Sequence, residues 1–105
     1  MEEKAESGKG TEGEQMLDRY KDTFYAAIDK WGEEMQLTVA IEEMSELTKE
    51  ICKHYRGQQN FDAISEEMAD VYIMLEQMKM IFDNEKYVSH WIYTKVARLR
   101  EAVSE

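Results

Sequence analysis

After residue 13 the apolar side chains return every three or four positions, the spacing of one face of an α-helix. Leu17, Tyr20, Phe24, Ala27 and Ile28 mark a first segment over about residues 14–30, which Trp31-Gly32 breaks. A second runs over residues 33–55 and ends at Arg56-Gly57, where glycine can take the left-handed conformation that stops a helix. Asn60 or Asp62 can cap the third, which reaches residue 82. Its apolar residues Ile64, Met68, Val71, Leu75, Met78 and Phe82 alternate four and three apart, the pattern of a bundle seam. Asp83-Asn84 interrupts it, and Val88, Ile92, Val96, Leu99 and Val103 form the stripe of a fourth segment over residues 85–103. No strand-like alternation competes, and no internal repeat is present. The pattern predicts an all-α, four-helix bundle over residues 14–105. Residues 1–13, polar and glycine-rich, read as a disordered tail.

Short connections make sequential helices antiparallel, so the second and third should form a hairpin that turns near Gln58. Within it, Glu42-Glu43-Met44-Ser45-Glu46 places Glu43 and Glu46 three apart, and Glu66-Glu67-Met68-Ala69-Asp70 does the same for Glu67 and Asp70. Residues three apart share a helix face. Folding about Gln58 brings Glu46 and Asp70 to one height. Glu67 is then offset by three residues, about 4.5 Å at ~1.5 Å per residue, with Glu43 a turn further along. Helices pack ~8–10 Å apart, so four carboxylates can converge. Like charges so close either raise a pKa or bind a cation, and hard oxygen ligands suit Mg²⁺, Mn²⁺ or Ca²⁺ better than zinc. On a helical wheel Met35 and Val39 fall with Glu42 and Glu46, while Ile73, Met74 and Ile81 fall near Asp70. The acids therefore border an apolar region suited to a ligand with a phosphate end and a base end. The bland alternative is a pair of solvated acidic faces.

Charge narrows the partners. The 105-residue chain carries 23 acidic against 13 basic residues, a formal net charge of −10. A duplex-binding protein needs the opposite sign, whereas an acidic protein that handles nucleotides needs a divalent cation as a bridge. The single cysteine, Cys52, cannot form an internal disulfide and reads as a small buried or half-buried residue. The first residues have no apolar core for a signal peptide, and no stretch approaches the ~18 apolar residues of a membrane span. The expectation is a cytoplasmic protein with no membrane and no nucleic-acid polymer as partner.

The stretch Trp31-Gly32, then Ala40-Ile41-Glu42-Glu43-Met44-Ser45-Glu46-Leu47, then Glu66-Glu67-Met68-Ala69-Asp70-Val71-Tyr72-Ile73-Met74-Leu75 resembles the MazG-type all-α nucleotide pyrophosphohydrolases, over about residues 16–103. The resemblance implies that Glu43, Glu46, Glu67 and Asp70 are Mg²⁺ ligands and that Glu42 supports a ligand or positions water. It also implies hydrolysis of a (d)NTP to the monophosphate and pyrophosphate, in nucleotide-pool housecleaning, by a homodimer or homotetramer. One departure is visible. Many members carry an asparagine a few residues after the aspartate, where Ile73 and Met74 stand here.

The chemistry would be metal-assisted attack of water on a phosphoanhydride, with Glu43 or Glu46 taking the proton and Mn²⁺ as a substitute ion. Lys95 and Arg98, three apart and off the apolar stripe, could meet phosphate oxygens or serve as ordinary surface charges. Lys53 and Arg56 suit the C-terminal dipole of their helix. Trp31 can stack on a base or pack in the bundle. His54 and His90 read as solvent-exposed, and the methionines as core filler or an adaptable base pocket. A ferritin-like di-iron site needs E-x-x-H on two helices, and no glutamate here has histidine three residues on. The non-enzymatic rival is a regulatory or scaffolding helical module.

Overall fold

The computed structural model describes residues 17–105, so the expected tail and the first residues of the expected first helix lie outside the described residues. Four α-helices follow one another: α1 Lys21–Trp31, α2 Glu33–Tyr55, α3 Phe61–Phe82 and α4 Glu85–Val103. The described residues contain no strand. Leu17 and Asp18 are helical but are separated from α1 by a turn at Arg19 and Tyr20, which shortens the expected first helix.

The breaks fall where backbone chemistry demands them. Gly32 separates α1 from α2 at φ 92°, a value that costs glycine nothing and other residues much. Gly57 stands at φ 93°. Its N–H donates to the His54 carbonyl at 2.9 Å, and the Gln58 N–H donates to the Lys53 carbonyl at 3.1 Å. This pair of bonds is the Schellman closure of a helix. At the end of α3 the left-handed position is taken by Asp83 at φ 50°, one of the few non-glycine residue types that tolerate it. Asn60 sits at the N-terminal boundary of α3, but its side chain makes no capping bond there. It reaches α2 instead.

α2 and α3 pack closely as an antiparallel hairpin, with α1 laid against both through buried Phe24. Burying such a side chain stabilises by about 1.5–3 kcal/mol. The inward stripe of α2 is Gln36, Ala40, Glu43, Leu47 and Glu50. That of α3 is Ala63, Glu67, Asp70, Met74 and Gln77, all buried or half-buried. Both stripes alternate in fours and threes, as packed helices require. The seam expected on α3 lies one residue away, about 100° around the helix. There Met68, Leu75 and Phe82 are exposed. On α2, Met35 is likewise exposed where an apolar lining was expected. Trp31 is 56% exposed, with the Lys30 ammonium 5.4 Å from its ring centre, and does not pack in the bundle. Cys52 is exposed, not buried; His54 and His90 are exposed as expected.

α4 differs from the rest. It touches little of α3 and has no buried residue. Of its expected stripe, Ile92, Val96, Leu99 and Val103 are exposed and Val88 is half-buried. No helix of the described residues is long and apolar enough to cross a membrane.

Candidate metal centre

The hairpin turns between Arg56 and Gly57, not at Gln58. Gln36 and Gln77, whose side chains touch, are equally distant along the chain from that point. So are Glu43 and Asp70, which also meet. The shift moves the acids relative to one another by most of a turn. Glu43, not Glu46, comes opposite Asp70.

Oxygen atoms of Glu43, Glu67 and Asp70 lie within 4.8 Å of one another, and all three residues are half-buried. Glu43 enters from α2; Glu67 and Asp70 enter from successive turns of α3, three residues apart on the inward stripe. Glu46, the fourth expected ligand, stands at the margin. It is exposed and has its Oε1 3.9 Å from Lys49 Nζ, yet it is near enough for its charge to act on Glu67. Glu42 is exposed, outside this group.

The electrostatics are those of crowded carboxylates. Burial raises the pKa of Glu43 above the ordinary value, and the charges of Asp70 and Glu67 raise it further. A proton on Glu43 can be shared with Glu67 and Asp70 as a hydrogen bond. Glu67 is raised by burial first and by Asp70 second; the bond from Glu43 acts the other way. One oxygen of Glu67, Oε1, is buried and has no hydrogen-bond partner among the described residues. A buried acceptor without a donor is costly, and a divalent cation would satisfy it. A set of carboxylate oxygens alone suits a hard ion such as Mg²⁺ or Mn²⁺.

The other expected contacts are not gathered here. Lys95 lies 5.8 Å from the Trp91 ring centre, on its own helix. Neither Lys95 nor Arg98 is ion-paired with the cluster. Lys53 pairs with Glu50 at 3.1 Å, a structural use close to the end of α2. Ile73 and Met74 follow Asp70 on α3, Met74 buried and Ile73 half-buried. An apolar depression of about 210 Å³, lined by Leu47, Met68, Val71, Tyr72 and Leu75, runs beside the acids. A wider, open concavity of about 640 Å³ at the α3–α4 corner contains none of the candidate site residues named from sequence.

Sequence periodicity missed two polar contacts that flank the cluster. The Gln36 amide donates to Gln77 Oε1 at 2.7 Å, both residues about 95% buried. Asn60 Nδ2 donates to the carbonyl of Glu50 at 2.9 Å and to its Oε1 at 2.8 Å. These bonds, followed by Lys53, hold the Glu50 carboxyl below its ordinary pKa. The signal was present in the spacing: Gln36, Glu43 and Glu50 fall seven apart, one position of a heptad. Compared with known proteins, the chain matches no family model, no curated protein and no solved structure.

Proposed function

We propose that this chain is a Mg²⁺-dependent nucleoside triphosphate pyrophosphohydrolase, converting a (d)NTP and water to the monophosphate and pyrophosphate. The observation that carries the reading is the convergence of Glu43, Glu67 and Asp70 from two helices, with a buried Glu67 oxygen that has no hydrogen-bond partner among the described residues. The resemblance of the two acidic motifs to the MazG-type enzymes supports the substrate and the reaction. Glu43, Glu67 and Asp70 would hold the ion directly, with Glu46 at its margin. When bound, Mg²⁺ supplies charge neutralisation for the phosphates and a lower pKa for water.

Around that ion the chain's own groups have separate tasks. Glu46, exposed beside the cluster, and Glu43, within it, are the candidate proton acceptors. Glu42 would orient water at the solvent side. Lys95 and Arg98 stand on α4, away from the cluster, and no phosphate contact is assigned to them within one chain; exposed Trp31 offers a face on which a base can stack.

The uncovered apolar surfaces favour assembly with further copies of the chain. Trp91, Ile92 and Leu99 on α4 are each at least half exposed. The radius of gyration, 16.2 Å, exceeds the ~13 Å of a compact 100-residue domain. A homodimer or homotetramer would cover these faces. The same surfaces favour a second reading, a non-catalytic regulatory or scaffolding helical module. The enzyme reading also places the chain in the cytoplasm, where the nucleotide pool is.

Pyrophosphate release from a panel of ribo- and deoxyribonucleoside triphosphates with Mg²⁺ separates the two. The enzyme reading expects turnover of at least one nucleotide, lost in Asp70→Ala and strongly reduced in Glu46→Ala. Equal release by wild type and Asp70→Ala would discard it in favour of the scaffold.

A further inference from the structure

The seam between α2 and α3 is poor at choosing its own register. The apolar members of the inward stripes are few: Ala40 and Leu47 on α2, Ala63 and Met74 on α3. Alanine is small and methionine is unbranched and adapts to many neighbours, so these four residues by themselves tolerate sliding. The carboxylate site does not. If α2 moved along α3 by three residues, Asp70 would face Glu46, and Glu43 would lie against Ile73. The three-oxygen cluster would be taken apart while each helix remained intact.

One contact in the seam distinguishes these registers. Gln36 and Gln77 are the polar pair deepest in the hairpin, 5% and 4% exposed, joined by a 2.7 Å bond between residues 41 apart in sequence. In the slid register Gln36 would face Met80 and Gln77 would face Val39, leaving two buried amides unpaired. Asn60 and Glu50 pin the turn side of the cluster; the glutamine pair is the polar contact on its other side, toward the open end of the hairpin. Gln36 lies seven residues from Glu43, and Gln77 seven from Asp70, so the pair sits two turns from the cluster on the same two stripes.

We propose that the buried Gln36–Gln77 amide pair is the positioning element of the carboxylate site, selecting the one hairpin register in which Glu43 meets Glu67 and Asp70. Its role in metal binding rests on the proposed function; its role in register does not. Neither glutamine touches the cation or the substrate. A single buried polar contact that selects register among apolar alternatives is a known use of such groups in helical assemblies.

The test compares the full chain with Gln36→Met/Gln77→Met, which keeps side-chain length and removes the hydrogen bond. In a Cys52→Ser background, spin labels at exposed Thr48 and Ser65, introduced as Thr48→Cys and Ser65→Cys, report the register by their separation. Mn²⁺ binding reports the site. The expected result is a helical double variant whose label separation broadens or moves by about 5 Å, one helical turn, and whose Mn²⁺ affinity falls at least tenfold. Unchanged label separation overturns the proposal, and so does loss of helical structure, since the pair would then be holding the fold and not choosing among registers. A wild-type chain that binds no Mn²⁺ removes the metal reading alone, because the label distances still decide the register.

Discussion

Glu43 and Glu50 stand seven residues apart on the same stripe of α2, and both are turned toward the hairpin partner. Their carboxyls are driven in opposite directions. Burial and the charges of Asp70 and Glu67 raise Glu43, whereas the Asn60 amide and the Lys53 ammonium lower Glu50. Residue type and helix position are shared, so the difference comes from what α3 and the turn present opposite each of them. At Glu50 the chain supplies its own donors, and the acid is a structural staple. At Glu43 it supplies two more acids, and the three carboxyls crowd one another. Removing a donor from a buried, paired charge is destabilising; a crowded group of acids with raised pKa values is a candidate functional site.

The contrast can be broken most forcefully with the ion itself. Mg²⁺ at a hundred times its dissociation constant should add about 2.7 kcal/mol of stability, read as a rise in melting temperature. Glu67→Gln and Asp70→Asn should abolish the rise. Asn60→Ala, which also leaves Mg²⁺ binding in place, should lower the melting temperature of the metal-free protein by about 5 °C, because the Glu50 carboxyl loses its first donor. An unchanged melt would mean that Asn60 and Glu50 are not the staple described above.

Glu43→Gln should act in the reverse sense without metal, raising the melting temperature by a few degrees as one of three crowded charges disappears. A drop would show that Glu43 is satisfied within the chain. The smallest effect is on pH dependence. Folded-state pKa values raised at Glu43 and Glu67 destabilise the metal-free fold at neutral pH. The penalty fades as pH falls toward the ordinary glutamate value of 4.5. The lowered pKa of Glu50 stabilises above 4.5, and that contribution is lost as pH falls further. Metal-free stability should therefore pass through a maximum near the ordinary glutamate value, and saturating Mg²⁺ should flatten the neutral side of the curve. Urea titrations at stepped pH would reveal a monotonic profile if the two layers were alike.

The comparison also locates what periodicity could and could not read. Helix bounds at Gly32, Gly57 and Asp83 were legible because backbone conformation is a local property. So was the sharing of one face by Glu67 and Asp70, since three residues along a helix fix it. The pairing of Glu43 with Asp70 was not legible, because it depends on where between Arg56 and Gly57 the chain reverses. A shift of that point by one or two residues exchanges Glu43 for Glu46. Asn60 was legible as a helix-boundary residue, but its side chain was claimed by Glu50 across the turn.

By itself, then, the sequence determined four helices, the breaks between them, and two acidic pairs on two of them, since these follow from local spacing and backbone sterics. Which stripe of α3 faces α2 was decided only in three dimensions. Two stripes one residue apart were available, one wholly apolar and one carrying Glu67, Asp70 and Gln77. The structure turns the second inward, and the buried Gln36–Gln77 bond joins it to α2. Met68, Leu75 and Phe82 of the apolar stripe are left exposed, as are Ile92, Val96, Leu99 and Val103 of α4. Periodicity measures how apolar a face is; it does not say which neighbour will cover it, because that depends on contacts between residues far apart in the chain.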